Sequence, residues 1–73
     1  MVLEKLDELF KSELTWVDIY LAKEEDSEKR HDIIWFSIQR CLGAADLAQK
    51  LDAPYAEVSE MYESVRVALM ERW

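Results

Sequence analysis

The sequence predicts an all-α fold, a compact three-helix bundle with antiparallel helical hairpins. Apolar residues recur at helical spacing along almost the whole chain of 73 residues. The chain has one Gly and one Pro, so few turns and long elements are expected. Its residues are 51% hydrophobic and 34% charged, which excludes a disordered chain. We therefore expect residues 1–73 to form a single small helical domain.

The first helix is predicted at about 2–25, from one long apolar stripe. The stripe consists of Leu3, Leu6, Phe10, Leu14, Val17 and Leu21. Asp26 or Ser27 is then expected to cap a second helix, because either side chain can accept a hydrogen bond from a free backbone N–H. No Gly or Pro enforces a turn there, so one continuous helix is an alternative.

The second helix is predicted at about 28–51 and is apolar on two faces. One face holds Ile34, Ile38, Cys41, Ala45 and Ala48, with Trp35 and Leu42 at its edge; the other holds Ile33, Phe36, Ala44, Leu47 and Leu51. A helix that is apolar nearly all round is buried on most sides, so this is predicted to be the central helix. Gly43 leaves open a break into two shorter helices.

The third helix is predicted at about 54–72, with Pro54 in its first turn, where the missing N–H has no helical partner. Short connections make consecutive helices antiparallel neighbours. Folding the first two helices about residue 26 brings Glu13 level with Arg40, and each lies within an apolar face. The register therefore predicts a structural ion pair between Glu13 and Arg40. The alternative is that both side chains extend along their stems into water.

Charge and composition limit the function classes. The formal net charge is −7, and an acidic field repels phosphate backbones and anionic lipid. The single Cys excludes an internal disulfide and favours a reducing compartment. The acidic start MVLEKLDELF does not resemble a signal peptide, and no stretch approaches about 20 apolar residues. We expect a cytoplasmic protein that does not bind membranes.

Residues 44–62 fit the apolar pattern of two helices joined by a tight turn. Leu47, Ala48, Leu51, Ala53, Val58 and Met61 supply that pattern. The segment resembles the helix-turn-helix motif of bacterial regulators, which implies nucleic-acid binding or transcription regulation as an alternative function. Asp52 stands where that motif usually has Gly, and there is no Lys or Arg between residues 51 and 65. Because phosphate contacts need basic groups, the charge argues against DNA binding.

The sequence contains no constellation typical of catalysis, so no catalytic, cofactor or metal site is predicted. Glu28 and His31 have the spacing of one half of a di-iron site, but the chain has one His. Glu25–Glu28 and Glu57–Glu60 have the spacing of Mg²⁺-binding pairs, which keeps a metal-dependent helical hydrolase as a distant alternative. Cys41 lies on a core face and is expected to be inert.

Apolar and aromatic side chains exceed what three helices are expected to cover. Interface cores favour aromatic residues, and the candidates are Trp16, Tyr20, Trp35 and Trp73. The alternative for each is that it seals a monomeric core. The sequence therefore predicts a non-catalytic protein-protein interaction or assembly module. Its predicted partner is itself, as a homodimer, or another protein with a basic surface.

Overall fold

The computed structural model describes residues 2–73 and has three α-helices. They are α1 (Val2–Lys23), α2 (Ser27–Lys50) and α3 (Tyr55–Met70). Each end lies within two residues of the predicted boundary. All three helices pack on one another in a bundle, so the predicted all-α three-helix fold is confirmed.

The turn between α1 and α2 is held by two polar side chains. Asp26 caps α2, and its carboxylate accepts hydrogen bonds from the backbone N–H of Glu28 at 2.9 Å and of Lys29 at 3.3 Å. The Arg30 guanidinium reaches back and donates to the carbonyl of Leu21 at 2.5 Å. The free N–H groups of one helix and a free carbonyl of the other are thereby satisfied. Two separate helices, rather than one continuous helix, are the result.

Helix α2 runs without a break through Gly43. A Cβ at this position would meet nothing within 4 Å, so no close neighbour requires glycine here. The small side chains that do meet a neighbour lie on the core face, where Cys41, Ala45 and Ala48 are buried. The possible break at Gly43 is therefore not found, because the helical hydrogen bonds and the packing on either side outweigh a propensity cost of about 1 kcal/mol.

The corner between α2 and α3 depends on Asp52, whose φ of 66° is left-handed. Asp tolerates this conformation better than most residues, which lets it stand where glycine is common. The Ala53 N–H donates to the Ala48 carbonyl at 3.1 Å, and Pro54 follows in an extended conformation as the residue before α3. Proline thus precedes the helix, rather than lying in its first turn.

The three helices lie along the long axis of a bundle whose Cα atoms extend 40 × 16 × 15 Å. Helix α3 runs back along α2, and at its end Trp73 stacks on the His31 ring with the centroids 4.0 Å apart. The core lies between the helices and consists of Leu6, Phe10, Val17, Leu21, Ile34, Ile38, Cys41, Ala45, Ala48, Val58, Val65 and Leu69. Ser37 is the one polar residue buried in the described part of the chain.

Candidate protein-interaction surface

A charged pair joins α1 to α2 at mid-height. The Nε of Arg40 donates to Oε1 of Glu13 at 2.7 Å, and the buried Ser37 hydroxyl donates to the same oxygen at 3.2 Å. The structure thus brings together the two residues for which an ion pair was predicted. The Glu13 side chain is 13% exposed, whereas the Arg40 side chain is 57% exposed. The pair therefore combines both expectations: the carboxylate is covered, and the guanidinium extends along its stem to water.

The Arg40 guanidinium retains unused donors. Within residues 2–73, only its Nε donates a hydrogen bond, while an arginine side chain carries five N–H groups. Its two Nη groups have no acceptor within residues 2–73, and the 57% exposure of the side chain leaves them accessible to water. If a partner covered this surface, they would need new acceptors, because a buried unpaired charge costs several kcal/mol.

Three of the four exposed large apolar residues of α1 form one stripe with Glu13, and the fourth, Ile19, lies outside it. Leu9, Glu13, Trp16 and Tyr20 follow one another at intervals of three or four residues, so all four share a side of the helix. Leu9 is 42% exposed, and Trp16 and Tyr20 are each 51% exposed. The two aromatic rings stack with their centroids 5.9 Å apart. This stacking aligns the two rings with each other, but about half of each side chain remains exposed to solvent.

A second stripe lies on α2, around Arg40. Its members follow one another at intervals of three or four residues and are Ile33, Phe36, Arg40, Ala44, Leu47 and Leu51. Phe36, Leu47 and Leu51 are each 57% exposed, which makes this stripe more open than that on α1. It is the second apolar face of the central helix, and α3 does not cover it.

The two stripes lie side by side and form one surface. Near one end they line a groove of about 220 Å³ with Leu9 on one wall and Ala44, Leu47 and Leu51 on the other. At mid-height the Glu13–Arg40 contact joins them directly. We call this surface the α1–α2 face; it consists of Leu9, Glu13, Trp16, Tyr20, Ile33, Phe36, Arg40, Ala44, Leu47 and Leu51.

The four predicted interface residues do not share this face. Trp16 and Tyr20 belong to it, but Trp35 and Trp73 lie on the side formed by α2 and α3. Trp35 precedes Phe36 and is therefore turned about 100° from it around the helix. Leu42, two turns after Trp35, lines the groove between α2 and α3. Trp73 stacks on His31, one turn before Trp35. Both tryptophans are about half exposed, at 52% and 53%.

The other side of α1 faces α3 across an acidic groove. We call it the α1–α3 groove; it measures about 540 Å³ and is lined by Asp7, Phe10, Lys11, Leu14, Glu57, Glu60, Met61, Ser64, Val65 and Ala68. Three carboxylates and one ammonium thus surround an apolar floor. Lys11 is paired with Asp7 at 2.8 Å.

An ion pair between Arg72 and Asp18 connects α1 to the end of α3. The Arg72 Nε donates to Asp18 Oδ1 at 2.6 Å and its Nη2 to Oδ2 at 3.2 Å. The hydrogen bond from Arg72 holds the pKa of the Asp18 carboxyl below its ordinary value. This two-point contact fixes α3 against α1, although both side chains are partly exposed, so its contribution to stability is small.

The described residues offer little for catalysis. Burial, with a smaller contribution from the Glu13 carboxylate, raises the pKa of the Cys41 thiol to about 11. A thiol that is protonated at neutral pH and fully buried is a poor nucleophile. Residues 2–73 contain no cluster of three or more His, Cys, Asp or Glu side chains arranged to hold a metal ion. His31, half of the di-iron spacing, is stacked on Trp73.

The corner at residues 44–62 has the apolar contacts that the sequence pattern predicts, but a different arrangement of helices. Ala48 and Val58 are buried against the core. In a DNA-binding helix-turn-helix, the two helices cross at about 90–120°. Here α3 runs antiparallel along α2 as far as the Trp73–His31 stack. Glu57 and Glu60, which would face DNA in that motif, line the α1–α3 groove.

No protein-family model, no curated protein and no solved structure matches the chain. None of the helices in residues 2–73 combines the length and the hydropathy that crossing a membrane requires. The described residues form a small three-helix bundle, and the α1–α2 face carries six of the 13 large apolar side chains that are exposed in it.

Proposed function

We propose that this protein is a non-catalytic protein-protein interaction module that self-associates as a homodimer through the α1–α2 face. The observation that carries the proposal is the exposure of three large apolar residues in one stripe, Phe36, Leu47 and Leu51, each at 57%. Single exposed apolar residues are ordinary, but a contiguous exposed apolar surface marks an interaction site.

The size of the surface supports the proposal. One side of the bundle, 40 by 16 Å between Cα atoms, has a projected area of about 640 Å², or about 1,300 Å² for two copies if the whole side is covered; this reaches the lower end of the range of about 1,200–2,000 Å² for specific interfaces.

The distribution of charge also supports self-association. The net charge of −7 would make two copies repel each other if it were spread evenly. Acidic side chains instead line the α1–α3 groove. On the α1–α2 face the one carboxylate, Glu13, is neutralised by Arg40, and Lys5 lies beside Leu9 in the groove. The face that two copies would bring together is therefore not the acidic one.

A pair of matched substitutions tests the proposal. Leu47→Glu places a charge on the α1–α2 face, and Val67→Glu places one at an exposed position of α3, where the wild-type residue is 44% exposed. Light scattering at equal concentrations should give a dimer mass for wild type and Val67→Glu, and a monomer mass for Leu47→Glu. Equal masses for the two variants would contradict the assignment of the face, provided that circular dichroism shows both to be folded.

A partner with a basic surface is the second candidate, and the α1–α3 groove favours it. Asp7, Glu57 and Glu60 surround an apolar floor there, which suits a basic amphipathic segment. Titration with a lysine-leucine helical peptide should show binding that weakens with salt and with Glu57→Lys. Binding that is unchanged in the variant would remove the groove as the docking site.

The remaining alternatives are less well supported. Nucleic-acid binding would require Glu57, Glu60 and Glu63 on α3 to face phosphates, and a mobility shift on DNA at low salt should show no complex. A metal-dependent hydrolase lacks a ligand cluster in residues 2–73. We propose that the module is cytoplasmic, because its single cysteine allows no internal disulfide; localisation of a tagged chain tests this.

A further inference from the structure

We infer how a second copy docks, an inference that rests on the proposed self-association. The geometry points to a dimer in which α1 of each copy lies antiparallel on α2 of the other. Glu13 of each copy then faces the partner's Arg40. The four helices α1, α2 and their two counterparts form an antiparallel four-helix bundle, whose twofold axis runs along the helices.

Two copies can pair this face symmetrically in two simple ways. With the twofold axis across the helices, α1 lies on the partner's α1 and α2 on the partner's α2. With the axis along the helices, α1 lies on the partner's α2 at unchanged height. Both arrangements bury the same apolar residues, so the hydrophobic effect alone does not distinguish them.

The charged pair at the centre of the face does distinguish them. Glu13 and Arg40 lie level with each other, since their side chains are in contact at 2.7 Å. An axis across the helices that aligns the two apolar stripes stacks Glu13 on Glu13 and Arg40 on Arg40, which places like charges opposite each other. An axis along the helices places Glu13 opposite the partner's Arg40. Like charges in an interface cost several kcal/mol, so the second arrangement is favoured.

Hydrogen-bonding capacity leads to the same arrangement. Arg40 uses only its Nε within residues 2–73, and the hydrogen bonds described to Glu13 end on Oε1. The Nη groups of Arg40 and the Oε2 of Glu13 therefore have no hydrogen-bond partner within residues 2–73. When each Arg40 guanidinium lies against the partner's Glu13, the guanidinium gains an acceptor and the carboxylate gains a donor. No buried charge is then left unpaired.

The apolar residues fit the same register. Leu9 shares its groove with Ala44, so the height of α1 against α2 within one chain is fixed. The second arrangement repeats that height between chains: Leu9 meets the partner's Ala44, and Trp16 meets the level of the partner's Phe36. In both arrangements each helix has an antiparallel neighbour on both sides, so the helix dipoles do not distinguish them.

Distances between spin labels test the arrangement with the wild-type charges in place. Labels at Lys29→Cys, Gly43→Cys and Lys50→Cys lie on exposed positions of α2, while the buried native Cys41 is not expected to react. An axis along the helices predicts nearly equal separations at the three positions. An axis across the helices at the level of Arg40 instead separates the two labels of a dimer along the bundle. This part of the label-to-label distance is about 33 Å for Lys29, about 9 Å for Gly43 and about 30 Å for Lys50.

The outcomes separate this inference from the proposed function. Three similar distances support the arrangement, and distances that rise steeply away from Gly43 overturn it while leaving a dimer. The absence of any dipolar coupling, together with a monomer mass, overturns the self-association on which the inference rests.

Charge reversal tests whether the charges at positions 13 and 40 meet across the interface, and the spin-label distances decide between the two axes. Glu13→Arg and Arg40→Glu, each alone, oppose like charges across the interface and should weaken the homodimer at least tenfold. When the two variants are mixed, each acidic group of one chain faces a basic group of the other chain in the heterodimer. Native mass spectrometry should then show the heterodimer in excess over either homodimer. If both variants are folded by circular dichroism and the mixture gives no heterodimer, the two residues act only within one chain and the cross pair is overturned. If Glu13→Arg does not fold, the spin-label distances alone decide.

Discussion

The α1–α2 face and the α1–α3 groove lie on the two sides of one helix and differ in kind. On the α2 side, α1 offers Leu9, Trp16 and Tyr20, each at least 42% exposed, and the only carboxylate of the face is paired. On the α3 side, carboxylates surround an apolar floor, and Arg72 binds Asp18 at the end. This difference shows that the net charge of a small bundle does not determine the charge of each of its surfaces. One side is suited to a second copy and the other to water or to a basic partner.

The largest expected effect contrasts two tryptophans with nearly equal exposure. Trp16→Ala removes an aromatic anchor from the α1–α2 face and should weaken the dimer by about 2–4 kcal/mol, whereas Trp35→Ala should leave the dissociation constant within about twofold of wild type. Trp16 is 51% and Trp35 is 52% exposed, so the two substitutions remove similar amounts of buried surface within the subunit. Sedimentation velocity measures both constants. An equal loss for the two variants would show that both sides associate.

The next effect contrasts two carboxylates on the two sides of the bundle. Glu13→Ala leaves the fully buried Ser37 hydroxyl without its acceptor and should lower the free energy of unfolding by about 1–3 kcal/mol. Glu60→Ala removes an exposed side chain at the α1–α3 groove and should change it by less than about 0.5 kcal/mol.

Both carboxylate substitutions are best made in the Leu47→Glu background, where dissociation does not add to the measured stability. Urea unfolding followed by circular dichroism gives the two values. A Glu13→Ala variant as stable as Glu60→Ala would mean that water satisfies Ser37 and that Glu13 has no structural role.

Much of this architecture is predictable from the sequence because its causes are local. Helical spacing of apolar residues defines the three helices, and Asp26 marks the start of α2. The register of Glu13 with Arg40 follows from folding two long helices about a short turn. Asp52 adopts the left-handed conformation that its side chain tolerates.

Which aromatic residues share a surface was not predictable in the same way. The two apolar faces of α2 are evident in the sequence, but only tertiary packing decides which of them meets α3. Trp35 and Phe36 are neighbours in the chain and still point about 100° apart. Ring size favours Trp16, Tyr20, Trp35 and Trp73 as interface residues, whereas helical spacing favours the stripe that includes Phe36 and Leu47.

The smallest expected effect concerns pH and the Asp18–Arg72 pair at the α3 side. Because Arg72 lowers the folded-state pKa of Asp18, the pair stabilises the fold above the unfolded-state value of about 3.8, and this contribution is lost as the pH falls through the lower folded-state value. Asp18→Asn should remove that part of the acid dependence, at most about 0.5 kcal/mol for an exposed pair. Asp32→Asn is the control, and thermal melts between pH 2 and about 5 give the comparison. Identical acid profiles for the two variants would contradict the role of the pair.

Sedimentation equilibrium of the wild-type chain tests the central claim most directly. If the α1–α2 face is a self-association surface, the apparent mass should rise with concentration from the monomer value of 8.7 kDa towards twice that value and should not exceed it, since a twofold interface is closed. The rise should be absent in Leu47→Glu and present in Val67→Glu. A wild-type mass of 8.7 kDa that is constant up to millimolar concentration would contradict the account.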